Sequence, residues 1–127
     1  MSPAQAVHEL LAATSGVTDV VGTRIYPVIA PQKAQPPFIV VTQVSEDPLE
    51  TFDAGGEATL RSSRVQVDCY MRENDEAHEL AAAAEDALVT AEEANGLRAW
   101  KLDSRDLFED DTRLHRVSMD FGVMFGR

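Results

Sequence analysis

The chain has 127 residues and a single cysteine, Cys69. That thiol has no internal disulfide partner, and no second thiolate exists to build a structural zinc site. Synthesis in a reducing cytoplasm is the expectation. Histidine is nearly as scarce. His8 and His78 fall on expected helices and His115 on the last expected strand, with no ligand spacing among them. His78-Glu79 opens like a zinc-protease motif, but Ala82 stands where the second histidine must come one helical turn later. His78 is therefore read as a solvent-exposed helix residue. No stretch approaches the roughly 20 apolar residues of a bilayer span, and no basic segment followed by an apolar run begins the chain. Neither membrane insertion nor a signal peptide is expected.

Positive charge is also in short supply, with 11 Lys and Arg against 22 Asp and Glu and a formal net charge of −11. Such a field repels phosphate and argues against a nucleic-acid reader. It suits a surface that DNA slides past, because contacts with Lys and Arg that release counterions are what create backbone affinity. Gly55-Gly56 is followed by no Gly-Lys-Ser or Gly-Lys-Thr, so it reads as a turn and not as a phosphate cradle. Ser62, Ser63 and Ser104 lack a glycine elbow, and Cys69 falls on the inward face of an expected strand, where packing is its role. Glu109-Asp110-Asp111 and the carboxylates Glu46, Asp47, Glu50 and Asp53 offer hard oxygens, but neither run has calcium-loop spacing. Solvated turns explain them better. No catalytic, cofactor-binding or metal-binding residue is expected.

What the chain does have is the composition of an ordinary globular protein, 44% hydrophobic and 26% charged. Its length suits one domain over residues 1–127, burying about 70% of the unfolded surface. Val7, Leu10 and Leu11 recur at helical spacing between Pro3 and Ala13, with Gly16 as the stop. Val17 to Val21 reads as a brief turn. Ile25-Tyr26-Pro27 reads as a short extended piece before a proline-punctuated loop from Ala30 to Pro37. Phe38 to Val44 is a β-branched strand bounded by Pro37 and Asp47-Pro48, and its run Phe38-Ile39-Val40-Val41 asks for cover on both faces.

Ser45 to Thr59 is acidic and contains glycine, which suggests either a partner-contact loop or an extended hairpin tip. In residues 60–71, Val65, Val67, Cys69 and Met71 alternate with Arg64, Gln66, Asp68 and Tyr70, as a half-buried strand requires. Asn74 is placed to cap a helix whose stripe is Ala77, Leu80, Ala81, Ala84, Ala87, Leu88 and Ala91, ended by Asn95-Gly96. A strand from Leu97 to Leu107, a turn at Glu109-Asp110-Asp111 and a strand from Thr112 to Phe125 close the chain. The sum is an α+β fold with about four or five mostly antiparallel strands and two helices.

Several segments, in this order, resemble the tail-completion proteins of long-tailed phages and gene transfer agents. They are Arg24-Ile25-Tyr26-Pro27, Pro36-Pro37-Phe38, Arg64-Val65-Gln66-Val67-Asp68, and the run from Asp111 to Phe121. The resemblance covers about Leu10 to Phe125 and includes tail terminators and tail-to-head joining proteins. It implies a tail-terminator-like α/β sandwich and a sixfold ring with heterologous contacts. That ring would cap the head-proximal end of the tail tube, meet the tube protein below and a head connector or stopper above, and let DNA pass without specific binding. It also implies a virion or virus-like particle as the final location, after synthesis in the bacterial cytoplasm. Gln32, Lys33, Phe52, Asp53, Gly55 and Gly56 are the candidate partner-contact residues. A non-phage scaffold or binding domain is the alternative reading, and an enzyme acting through Asp110 and Asp111 is a third.

Overall fold

The computed structural model describes residues 2–49, 60–91 and 97–125, with the backbone alone at 46–49, 60–61 and 125. The order is α1 (Pro3–Ala12), α2 (Ser15–Val21), β1 (Ile25–Pro27), β2 (Phe38–Leu49), β3 (Leu60–Met71), α3 (Asn74–Val89), β4 (Leu97–Glu109) and β5 (Leu114–Phe125). The five strands form one sheet in the order β1-β2-β3-β5-β4, antiparallel throughout except for the short β1–β2 pair. The fold class is therefore as expected from sequence, with a third helix added.

That extra helix is α2. Gly16, expected to stop the first helix, lies inside α2, and α1 ends at Ala12 with the Thr14 hydroxyl donating back to the Leu10 carbonyl at 2.7 Å. Val17 and Val21 are one turn apart and fully buried, so tertiary burial holds a seven-residue helix with poor intrinsic propensity. At the start of α1, Ser2 and Gln5 form a capping box with Pro3 in the first turn.

Other boundaries shift for local reasons. Asp47-Pro48 does not end β2, which runs to Leu49 paired with Leu60. Its outer edge has no strand partner there among the described residues, so a missing proline N–H costs nothing. The N-cap of α3 is Glu73, one residue before Asn74. The helix ends with Thr90 donating to the Asp86 carbonyl at 2.7 Å. The expected stop at Asn95-Gly96 lies outside the described residues. Residues 110–113 form the turn before β5, which starts at Leu114 instead of Thr112.

The two faces of the sheet are built differently. On one, α1, α2 and α3 pack over Ile39 and Val41 of β2, Val65, Val67 and Cys69 of β3, and Val117, Met119, Phe121 and Val123 of β5. These strand residues are the inward sets that period-two alternation selects. Burial pushes the Cys69 thiol well above its ordinary range, which suits packing and not nucleophilic chemistry. Among the described residues the opposite face carries no helix, and its apolar cluster there is Phe38, Val40 and Leu114 with Tyr26, Ala30, Ala34 and Tyr70 around it. The run Phe38-Ile39-Val40-Val41 thus contributes to both layers, as its apolar character required.

Candidate functional site: the helix-free face of the sheet

Registers across β2, β3, β5 and β4 arrange the helix-free face in rows. One row is Phe38, Tyr70, Arg116 and Leu107, and the next is Val40, Asp68, Ser118 and Arg105. Then come Thr42, Gln66, Asp120 and Asp103, and after a bulge in each outer strand Ser45, Arg64, Gly122 and Trp100. Directly opposed side chains on one face lie close enough to interact, and here they pair by charge and by ring.

The first row is aromatic at one end and cationic in the middle. Tyr70 stacks on Phe38 with ring centroids 4.5 Å apart, and Tyr26 meets Phe38 edge-on at 5.9 Å. Burial is the largest influence on the Tyr70 hydroxyl and raises it above its ordinary pKa of 10. The protonated hydroxyl accepts a hydrogen bond from Arg116 Nη1 at 3.0 Å. Burial alone would lower the Arg116 pKa, but Tyr70, Asp68 and Glu109 outweigh it and hold the guanidinium charged. Arg116 lies 3.8 Å from Asp68 and 3.6 Å from Glu109, ion-pair distances longer than a hydrogen bond.

In the centre, Gln66 Nε2 donates to Asp68 at 3.1 Å and to Ser118 Oγ at 3.0 Å, which partners a buried carboxylate. Arg105 binds Asp103 at 2.8 Å and reaches Asp120 at 3.5 Å, while Arg64 approaches Asp120 from the other side at 3.7 Å. The hydrogen bond to Asp103, then that to Asp120, raises the Arg105 pKa. Farther along, the indole of Trp100 covers Gly122 so closely that a Cβ there would lie 2.4 Å from the ring. Glycine is needed at that position because the ring occupies the space of a side chain.

The loop after β1 closes one end of this face. Val28 adopts φ 66°, a left-handed conformation costly for a β-branched residue, and its N–H donates to the Val41 carbonyl at 2.9 Å. Val28 and Ile29 are 68% and 77% exposed. Together with Gln32, Tyr70, Glu109 and Arg116 they line a cavity of about 420 Å³. Of the residues singled out from sequence, Gln32 thus borders the site and Lys33 is exposed on the same loop. Phe52, Asp53, Gly55 and Gly56 lie outside the described residues.

The polar rows were the part missed. Alternation already put Arg64, Gln66, Asp68 and Tyr70 on this face, yet their partners come from strands more than 45 residues away in sequence. The three histidines are apart: His8 meets the Ile25 carbonyl at 2.9 Å, His78 meets Asp106 at 3.0 Å, and His115 lies against Phe108. Among the described residues, no group of three His, Cys, Asp or Glu side chains is placed to hold a metal, and no helix is long and apolar enough to cross a membrane. The arrangement offers recognition by rings and paired charges. Its carboxylates face guanidiniums, an amide or a hydroxyl, and Asp120 Oδ1 is buried without a hydrogen-bond partner.

A sequence model of the family described as tail completion protein gp17 matches residues 5–126. Among solved structures, a chain of the virion of a native gene transfer agent particle superposes with a TM-score of 0.73 at 22% identity. The match covers 98% of this chain and 94% of that one. At that identity the likeness establishes a shared fold. None of the curated proteins matches the chain.

Proposed function

The chain belongs to the tail completion protein gp17 family, and on that premise we propose that it is a structural virion protein capping the head-proximal end of a tail tube. The observation that carries this reading is the family match over residues 5–126. The shared fold with a chain of a gene transfer agent virion supports it. In this reading the whole chain acts as one tail-completion unit, and six copies form a closed ring through heterologous contacts. The ring ends tube polymerisation by covering the site where the next tube subunit would add. Its other side receives the head connector or stopper, and DNA passes through the hole without specific binding.

Charge placement supports a non-adhesive passage. Helix α3 carries Asp75, Glu76, Glu79, Glu85 and Asp86 with no Lys or Arg. On the helix-free face, by contrast, arginines and carboxylates neutralise one another. A hole lined by carboxylates would not trap exiting DNA, whereas a ring structure with Lys and Arg dominating the hole would defeat that account. The work is steric and needs no catalytic group.

The test is electron microscopy of particles from a producing strain lacking this gene, beside a complemented strain. Overlong or detached tails next to DNA-filled heads are the expected result. Joined particles with normal tails would reject the tail-end reading and point to a scaffold role elsewhere.

A further inference from the structure

We infer that the cavity between the 28–34 loop and the helix-free face is a socket for a lysine side chain carried by a different protein. The ammonium sits between Asp68 and Glu109, and the aliphatic stem lies against Val28, Ile29 and Leu114. This inference rests on the ring reading only for the source of the lysine. The volume of about 420 Å³ falls within the roughly 300–1,000 Å³ of ligand pockets.

Charge selects a cation. Asp68, Glu109 and Arg116 are the charged residues among the described lining, so the cavity carries one negative charge in excess. The whole chain adds to this with a formal net charge of −11. Such a field draws in cations and repels carboxylates and phosphates. Arg116 does not satisfy both acids. Its Nη1 donates to the Tyr70 hydroxyl at 3.0 Å, and Tyr70 is fixed by stacking on Phe38. Held there, Arg116 Nε lies 3.8 Å from Asp68 and Nη1 lies 3.6 Å from Glu109, both beyond a good hydrogen bond. Arg116 Nε has no hydrogen-bond partner among the described residues. The Asp68 side chain is only 7% exposed, yet the Gln66 amide is its one hydrogen-bond donor among the described residues. A carboxylate accepts about four hydrogen bonds. A buried charge short of donors is costly, and a cation entering the cavity supplies them.

An ammonium fits better than a guanidinium. A bidentate arginine needs both oxygens of one carboxylate open. Both Asp68 oxygens share the Gln66 amide, at 3.1 and 3.2 Å, and Glu109 Oε1 accepts from the Thr112 hydroxyl at 3.1 Å. What remains open is spread over two carboxylates, which suits a compact charge with three donors. The exposed apolar rim of Val28 and Ile29 matches the methylene stem. A second copy is not the source. The chain has two lysines, Lys33 and Lys101, and Lys101 is paired with Glu85 at 3.1 Å. Lys33 is exposed on the loop that walls the cavity. Copies exchanging it would meet through the same patch, a two-fold contact that a heterologous ring does not use.

Nuclear magnetic resonance of the purified chain tests the socket with Nα-acetyl-lysine N-methylamide as the probe. The side-chain N–H signals of Gln66 and Arg116 should shift and saturate at about millimolar probe, the scale for a ligand of roughly 14 heavy atoms. The Trp100 indole, outside the cavity, should stay still. Glu109→Gln should weaken binding about tenfold, as loss of one charged hydrogen bond does. Glu109 is 37% exposed, so that substitution spares the core. The norleucine analogue, which has an apolar stem and no ammonium, should bind about tenfold more weakly or worse. Equal shifts with the norleucine or the glutamate analogue, or none at Gln66 and Arg116, would overturn the proposal.

In particles, carbodiimide reads the source of the lysine by condensing a carboxylate with a neighbouring amine. Mass spectrometry should find Glu109 joined to a lysine of another particle protein, and Glu109→Gln should remove that link. Glu109 joined only to Lys33, or left unlinked while exposed carboxylates elsewhere on the chain react, would overturn the assignment to a different protein. The two readings fail separately. A lysine probe that binds the purified chain, with normal particles from the deletion strain, would retain the socket and remove the tail-end role.

Discussion

The two faces of the sheet solve the same problem of covering strands by opposite means. Under the helices, Phe121, Val123, Met119 and Val117 sit in a row of apolar contacts and are almost completely removed from water. On the other face, the alternate residues of the same strand, Arg116, Ser118 and Asp120, are partnered across strands by Tyr70, Asp68, Gln66 and Arg105. Apolar burial is non-directional and tolerates any close-packed arrangement. Paired charges fix geometry instead and contribute little net stability once desolvation is counted. The helix-covered face thus holds the fold together. The helix-free face instead carries a defined relief of rings and paired charges.

The largest expected effect belongs to the covered face. Phe121→Ala removes a fully buried ring beneath the helices, and a loss of about 3–5 kcal/mol is expected for such a truncation. Chemical denaturation would measure it. A loss no larger than that of an exposed residue would mean the core does not depend on this face.

Asp68→Ala tests the other face. Asp68 is buried, while the Arg116 side chain keeps 26% of its exposure, so the stranded guanidinium is only partly desolvated. A cost of about 2 kcal/mol follows, below that of a fully buried broken pair. Replacing both residues, as Asp68→Leu with Arg116→Met, should recover most of that loss. If the double variant is no better than the single one, the ladder contributes stability in its own right and the contrast between faces weakens.

These contrasts also show where sequence reading stops. The inward residues of β3 and β5 were legible because a two-residue period is local. So was the α3 stripe of Ala77, Leu80, Ala81, Ala84 and Leu88, all buried. Helix α2 was not legible, since Gly16 and Thr18 argue against helix and only the burial of Val17 and Val21 overrides them. Nor was the cavity beside Gln32, because it forms where the 28–37 loop meets Glu109 and Arg116 from the far end of the chain. The rows of charge needed the strand order β3-β5-β4, in which β3 pairs with β5 although α3 and β4 lie between them in sequence.

A smaller effect, of opposite sign, is expected at the rim of the helix-free face. Val28 holds φ 66° while 68% exposed, so its side chain offers little packing to offset the conformation. Val28→Gly relieves a left-handed penalty of roughly 1–2 kcal/mol and adds unfolded-state entropy of about 0.5–1 kcal/mol. A net gain of about 0.5 kcal/mol is expected from these terms. A stability gain accompanied by loss of particle assembly would assign the strained turn to partner contact. A gain with normal assembly would leave it a purely local feature.

The smallest effect lies where the covered face meets water. Asp106 on β4 and His78 on α3 are 3.0 Å apart, with side chains about half exposed. The hydrogen bond to His78 is the main cause that holds the Asp106 carboxyl below its ordinary value of 3.8. The folded state therefore binds this proton less readily than the unfolded chain does. Its contribution to stability is complete above the ordinary value and is lost as pH falls through the lower folded one. Exposure and salt screening keep that contribution small. Urea midpoints of wild type and Asp106→Asn should differ slightly near pH 6 and converge in acid below that window. A difference that persists there would show that Asp106 acts through packing at the α3–β4 seam and not through its charge. The seam would then belong with the apolar face, and the division between the two means of covering the sheet would run along β4 itself.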